Sequence, residues 1–134
     1  MLQLYLGLLP DLITSHYADG GYVAALLVKK TGIPFSVTGH ALGSQKLDKL
    51  GTTTDNWLSM ENRFKFSKRL AAERISMKYA AKIMVSTQQE MGERYVPAIY
   101  VSLLDQFDKT KFEIIPPGVR ANIFKQPPAL TDEM

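Results

Sequence analysis

The sequence predicts an α/β fold in which a parallel sheet is flanked by helices. Short apolar runs alternate along the chain with longer helical patterns, and the connections between them are short. This order is typical of parallel strands joined by right-handed crossovers. The chain has 134 residues, of which 46% are hydrophobic, and a domain of this size buries about two-thirds of its unfolded surface. We therefore expect one ordered domain, or part of a larger one.

The first predicted unit is a strand followed by a helix. Residues 1–10 are expected to form the end of a helix or an apolar leader. A strand over residues 12–14 then runs into polar residues. Gly20 and Gly21 open a helix over residues 22–30, which a glycine and a proline terminate.

The rest of the chain continues the alternation of strands and helices. In chain order we predict a strand over residues 35–38, a helical turn over 46–50, a long helix to residue 79, a strand over 82–87, a helix over 88–95 and a strand over 112–115. Residues 52–55 supply the N-cap of the long helix. Its apolar residues Phe64, Ala71, Ala72 and Ile75 recur at helical spacing.

Polar residues follow the strands at the points where they end. His16 and Tyr17 follow the first strand, His40 follows the second, and Ser86 and Thr87 follow the third. The carboxyl ends of parallel strands line one edge of a sheet, and ligands bind there. We therefore expect His16 and His40 to face a common crevice. Taken alone, His16 fits a structural residue bonded to nearby backbone.

Composition excludes several classes of protein. The chain has no cysteine, so disulfides, thiolate nucleophiles and cysteine-zinc sites are excluded. The two histidines, His16 and His40, cannot alone make a three-ligand zinc site, although carboxylates could complete one. We predict no metal site. The longest apolar run, residues 22–28, is far shorter than the ~20 residues of a membrane span. With no targeting signal evident, we expect a cytoplasmic protein with no membrane partner.

Positive charge is concentrated in one stretch of the chain, although the net charge is only +3. Residues 63–82 contain seven lysines and arginines, and the acids nearby are Glu61 and Glu73. Such a run serves a small anionic ligand, a nucleic-acid backbone or only solvent. The alternative of a non-catalytic α/β module that binds nucleic acid or a protein is disfavoured, because the basic helix is poor in aromatic residues. We predict no nucleic-acid partner.

Two local patterns each allow two interpretations. In residues 39–46, two glycines let backbone amides approach a ligand and Lys46 adds a charge, but a tight turn with a surface lysine explains the pattern equally well. Arg69 and Glu73 are four residues apart on one helix face. They form either an anion clamp held in place by the carboxylate or a surface ion pair worth a few tenths of a kcal/mol.

Five segments, taken together and in order, resemble a known family. They are SHYADGG (15–21), FSVTGHALGSQK (35–46), RLAAER (69–74), VSTQQE (85–90) and IPPGV (115–119). In this order they resemble the sucrose-phosphate synthases, retaining GT-B glycosyltransferases that have the sucrose synthases as relatives. The resemblance implies that residues 11–124 are part of a Rossmann-like acceptor domain, the N-terminal of two domains. Residues 125–134 would then be a polar tail.

The resemblance also implies a reaction and roles for individual residues. The enzymes transfer glucose from UDP-glucose to fructose 6-phosphate and give sucrose 6-phosphate. By the family pattern His40 is catalytic and lies beside the transferred glucose, Tyr17 lines the acceptor pocket, and Lys46 and Arg69 hold the acceptor's phosphate. Glu73 orients Arg69.

Other consequences of the resemblance concern the donor. UDP-glucose would be a substrate bound mainly by a C-terminal donor domain that this sequence lacks. We therefore expect the chain alone to be inactive. The resemblance implies no cofactor. Ala41 stands where family members often carry a hydroxyl residue. The alternatives are a sucrose synthase or another sugar-phosphate glucosyltransferase.

Overall fold

A computed structural model describes residues 7–95, 100 and 109–118. Within them, a parallel sheet has the order β1-β2-β3-β4. Its strands are β1 (Ile13–His16), β2 (Phe35–Thr38), β3 (Lys82–Val85) and β4 (Phe112–Ile114). The predicted Rossmann-like α/β fold is confirmed. Most of the predicted leader over residues 1–10, and all of the predicted tail over 125–134, lie outside the described residues.

Helices connect the strands. They are α1 (Tyr17–Thr31), α2 (Gly43–Lys49), α3 (Trp57–Phe64), α4 (Phe66–Tyr79) and α5 (Gln88–Glu90), which continues as a π-helical turn (Met91–Tyr95), and a 3-10 turn (Lys109–Lys111) precedes β4. None of the helices in the described ranges has the length and apolar character that crossing a membrane requires.

The core lies between the central strands and the helix pair α1 and α4. Phe35, Ser36 and Val37 of β2 are all buried, as expected for a strand covered on both faces. Leu70 and Met77 of α4 belong to the same buried cluster. The core therefore fixes the positions of β2 and α4. Much of the polar edge, at the carboxyl ends of the strands, is built from these two elements.

Helix α1 begins at Tyr17, so the predicted start at residue 22 is wrong. His16 still has extended backbone, and Tyr17 starts the helix with φ 61°. Gly21, predicted to open the helix, is instead a packing residue inside it, because a Cβ there would lie 2.5 Å from the Ser76 hydroxyl oxygen. The predicted end is confirmed: Gly32 has φ 73° and its amide bonds to the Val28 carbonyl.

The predicted long helix is two helices. Lys65 separates α3 from α4 with a left-handed backbone, φ 55°. The Glu61 carboxylate accepts hydrogen bonds from the Ser67 hydroxyl and, at 2.8 Å, from the Ser67 amide. These bonds lower the pKa of Glu61. The contact across the break holds the first turn of α4 against the last turns of α3.

The break changes which residues face the core. Phe64 is exposed and Ala71 is exposed, whereas the buried apolar residues of α4 are Phe66, Leu70 and Met77. The expected N-cap is also wrong. Helix α3 begins after Asn56, whose side chain makes no cap bond to the helix and instead accepts from the Thr53 amide at 2.7 Å.

The other boundaries differ by a few residues. Helix α2 starts at Gly43, three residues before the predicted turn, and β3 ends at Val85 rather than at residue 87. The helix predicted over residues 88–95 is present as α5 and its π-helical turn.

We expect Gly21→Ala to destabilise the chain by about 1–3 kcal/mol, because the added methyl overlaps Ser76 of α4. Gly20→Ala is the matched control. Its added methyl would have Ser15 at 3.9 Å as its nearest neighbour, so the gain in helix propensity, up to about 1 kcal/mol, decides its sign. Urea unfolding of both variants measures the difference, and equal stabilities would contradict this packing.

Candidate functional site

Tyr17 and His40 lie side by side at the carboxyl ends of β1 and β2. Both have a left-handed backbone, with φ 61° and 55°, which costs a non-glycine residue roughly 1–3 kcal/mol when the surroundings enforce it. The two rings are in contact, with centroids 4.7 Å apart. Two residues with strained backbones therefore place an aromatic ring, that of Tyr17, against the imidazole of His40 at adjacent strand ends.

His16 contacts His40 directly. His16 Nδ1 lies 2.9 Å from His40 Nε2. The two histidines therefore lie together at the predicted edge, since β1 and β2 are neighbours and pair His16 with Thr38. The expectation that His16 bonds to nearby backbone is wrong, because a ring across the strand boundary is its partner.

The loop between β2 and α2, together with the first two residues of α2, uses its backbone amides within the protein. The Gly39 amide donates to the Tyr95 hydroxyl at 3.1 Å, and the Ser44 amide donates to the Tyr100 hydroxyl at 3.2 Å. The Gly43 amide donates to both oxygens of Glu73, at 2.9 and 3.0 Å. These three amides are therefore occupied by side chains of the protein, which favours a tight turn over direct contacts of the two glycines with a ligand.

Glu73 lies at the centre of a buried hydrogen-bond network. It is 3% exposed. Its carboxylate accepts from the Gly43 amide, from the Tyr100 hydroxyl at 2.6 Å and from Arg69 Nε at 3.1 Å. A buried carboxylate is tolerated when it is paired and hydrogen-bonded in this way. Glu73 therefore ties α4 to the start of α2.

Arg69 is held in a fixed orientation. Its Nε bonds to Glu73, and its Nη2 donates to the Ala41 carbonyl, one residue beyond His40. The side chain is 26% exposed. The contact with Glu73 therefore lies partly inside the protein and differs from a simple surface ion pair.

Lys46 and Arg69 line one cavity of about 420 Å³. Its walls are mostly apolar and also include Lys49, Leu50, Phe64 and Phe66. The cavity therefore combines positive charge with apolar side chains. Arg69 is bonded to the loop that carries His40, and Lys46 is an exposed residue of α2.

His40 lines a second cavity, of about 540 Å³, at the ends of β2 and β3. Polar side chains surround it, and its lining includes Thr38, Ser86, Thr87, Glu90 and Arg94. Glu90 bonds to the Ser86 amide at 2.7 Å and to Arg94 at 3.1 Å. The Ser86-Thr87 pair predicted from the sequence therefore lies in the same crevice as His40.

Sequence reasoning missed the two tyrosines that hold this loop. Burial is the main cause that raises the pKa of Tyr95, to about 12. Burial and then the bond to Glu73 raise the pKa of Tyr100. Tyr95 follows Met91 by four residues, and both are buried, so helical spacing would have found it. Tyr100 has no comparable signal.

The structure thus brings the predicted site residues into two neighbouring groups. Tyr17 and His40 form one, and Arg69 and Glu73 form the other, linked to it through Ala41; Lys46 faces the cavity beside Arg69. Within the described ranges, no group of three or more histidines and acids is arranged to hold a metal ion.

The family model for the first GT-B domain of sucrose synthase matches residues 2–129. The chain belongs to this family. Over 92% of its length it is 46% identical to a probable sucrose-phosphate synthase of Thermosipho melanesiensis. Over 86% it is 34% identical to sucrose synthase 5 of Arabidopsis thaliana, and over 75% it is 34% identical to probable sucrose-phosphate synthase 1 of Oryza sativa subsp. indica.

The GT-B domain represented here is a part of those relatives. The chain spans 28% of the Thermosipho protein, 15% of the Arabidopsis protein and 9% of the rice protein. The similarity to sucrose-phosphate synthases, inferred from the five sequence segments, is confirmed.

We expect Glu73→Gln to destabilise this GT-B domain by about 2–3 kcal/mol, because an amide removes the charge that pairs with Arg69 and turns one acceptor into a donor. Glu93→Gln is the control, since Glu93 is exposed and bonds only to Gln89 among the contacts described here. Its effect should stay within about 0.5 kcal/mol. Urea unfolding compares the two variants, and a Glu73→Gln effect as small as the control would show that the network contributes little.

We expect stability to fall between pH 10 and 12. Tyr95 has a pKa of about 12 in the folded chain against an ordinary tyrosine pKa of 10.0, so its neutral form stabilises the fold fully below pH 10 and this contribution is lost as pH rises towards 12. Tyr100 adds to the fall in the same direction.

Tyr95→Phe should therefore reduce the alkaline slope of the unfolding free energy by about one proton, roughly 1.4 kcal/mol per pH unit. Urea unfolding across this pH range measures the slope in the parent and in the variant. An unaltered slope in Tyr95→Phe would refute the shifted titration.

Proposed function

We propose that the chain, over residues 11–124, is part of the acceptor-side domain of a GT-B glucosyltransferase. The whole enzyme transfers glucose from UDP-glucose to fructose 6-phosphate and gives sucrose 6-phosphate. One observation carries the proposal: Lys46 and Arg69 line the same cavity, and Arg69 is bonded to the loop that carries His40. The similarity to sucrose-phosphate synthases supports the same reaction.

The two cations suit a sugar phosphate. An arginine offers a planar fork of donors and a lysine offers a mobile point charge, and both bind phosphate dianions. Arg69 is already fixed by Glu73 and the Ala41 carbonyl, so little side-chain entropy is lost when a ligand binds. Glu73 is accordingly a positioning residue that acts through Arg69.

His40 belongs to the loop that Arg69 contacts, and the Tyr17 ring lies against the His40 ring. His40 is the proposed catalytic residue that contacts the transferred glucose, and Tyr17 lines the acceptor pocket. A phosphate held near Arg69 would fix one end of the acceptor, and the sugar ring would extend towards His40. Holding two reactants in a reactive orientation lowers the barrier by several kcal/mol.

The donor side of the reaction lies elsewhere in the proposal. UDP-glucose would be bound mainly by a second domain, and the reaction requires no cofactor of the protein. Since the chain covers 28% of its Thermosipho relative, we expect it to bind the acceptor without turnover.

A sucrose synthase reaction is the second candidate. Two nitrogens of Arg69 are engaged within the protein, and the matching family model is that of sucrose synthase. An acceptor without phosphate, free fructose, would not need the cationic pair. The two acceptors therefore discriminate between the candidates.

We expect calorimetric titration of the chain to detect binding of fructose 6-phosphate and much weaker binding of fructose. Lys46→Ala should weaken the phosphate ester at least about tenfold, the effect of losing one charge-assisted bond. Lys68→Ala removes the same charge from an exposed position of α4 outside the cavity lining, and should change binding little.

Arg69→Ala is the second variant, read together with its unfolding curve because Arg69 also touches Glu73. Equal affinity for fructose and fructose 6-phosphate, insensitive to Lys46→Ala, would favour the sucrose synthase reaction. Absence of heat at millimolar fructose 6-phosphate would contradict the proposed acceptor.

A further inference from the structure

The two histidine rings meet edge to edge. The atoms His16 Nδ1 and His40 Nε2 are 2.9 Å apart, the ring centroids are 5.1 Å apart, and the ring planes differ by 26°. A ring nitrogen lies about 1.1 Å from its own centroid, so two nitrogens in line at hydrogen-bond distance put the centroids about 5 Å apart. The rings are therefore nearly coplanar, and the lone pair of one nitrogen points along the N–H bond of the other.

This geometry requires one proton between the two nitrogens. Either His40 Nε2–H donates to His16 Nδ1, or His16 Nδ1–H donates to His40 Nε2. In the first arrangement both rings carry their proton on Nε2, which is the more stable form of a free neutral histidine side chain. In the second arrangement both rings carry it on Nδ1. The first arrangement is therefore favoured for both rings at once.

We propose that His16 is a positioning residue that holds His40 in the Nε2–H tautomer. His40 Nδ1 then carries a lone pair and accepts a hydrogen bond from a hydroxyl group of a bound sugar. The identity of this ligand rests on the proposed function, whereas the pairing of the rings does not. A ring whose far nitrogen is bonded in this way has its tautomer set by that bond.

One further contact and the backbone conformation also hold His40 in place. The Tyr17 ring lies against it with centroids 4.7 Å apart, and the backbone of His40 has φ 55°. The aromatic contact restricts rotation of the imidazole, and the bond to His16 selects its tautomer. His16 therefore supplies a constraint on His40 that neither the backbone nor Tyr17 supplies.

NMR of the chain labelled with ¹⁵N-histidine, recorded at mildly alkaline pH, tests the pairing. We expect a ¹⁵N–¹⁵N coupling across the hydrogen bond between His16 Nδ1 and His40 Nε2. Long-range ¹H–¹⁵N correlations should show His40 protonated on Nε2. Absence of the coupling, or a proton on His40 Nδ1, would overturn the proposal.

Variants separate positioning from folding. In His16→Asn the side-chain oxygen reaches about the place of Nδ1 and accepts from Nε2–H, so we expect His40 to keep its tautomer. In His16→Leu we expect a mixture of tautomers and faster solvent exchange of the Nε2 proton. Thr14→Ala, at an exposed position of β1, should leave the His40 signals unchanged.

If the His40 signals of His16→Leu were identical to those of the parent, the positioning role of His16 would be refuted. These measurements need no ligand. They are therefore independent of the titrations with fructose 6-phosphate, and a failure of one proposal is distinguishable from a failure of the other.

Discussion

The pairing of the buried Glu73 carboxylate is the constraint on which the polar edge of this domain depends. A carboxylate at 3% exposure loses its hydrogen bonds to water, and donors of the protein must replace them. Here the donors come from three places in the chain: the amide of Gly43, the side chain of Arg69 and the hydroxyl of Tyr100. One charge therefore determines where α2 begins, how Arg69 is aimed and where Tyr100 packs.

The loop between β2 and α2 derives its rigidity from the same kind of contact. The Tyr95 hydroxyl accepts from the Gly39 amide at the start of the loop, and the Tyr100 hydroxyl accepts from the Ser44 amide in the first turn of α2. A loop anchored at its start and through the helix turn that follows it, and bonded to Arg69 in its middle, can hold His40 in a left-handed conformation. Strain of this kind persists only where the surroundings over-determine the backbone, and such a site needs little reorganisation to bind a ligand.

The strands and their parallel order were predictable because a short apolar run bounded by glycine or proline indicates a buried strand from local sequence alone. The predicted helix boundaries were wrong at Tyr17 and Lys65. These residues adopt a positive φ although neither is glycine, and the tertiary contacts that enforce it leave no local pattern in the sequence. Within the site, the four-residue spacing predicted the contact of Arg69 with Glu73. The bonds of the loop amides to Tyr95 and Tyr100 join residues 56 positions apart, so spacing along one helix could not reveal them.

Helix α3 contributes no buried residue, yet its last residue, Phe64, forms part of the wall beside Lys46 and Arg69. It is attached through surface contacts, such as that of Glu61 with Ser67, and through the Phe64 ring, whose centroid lies 5.6 Å from that of Phe66. Substitutions along α3 therefore alter the shape of that wall at little thermodynamic cost to the sheet.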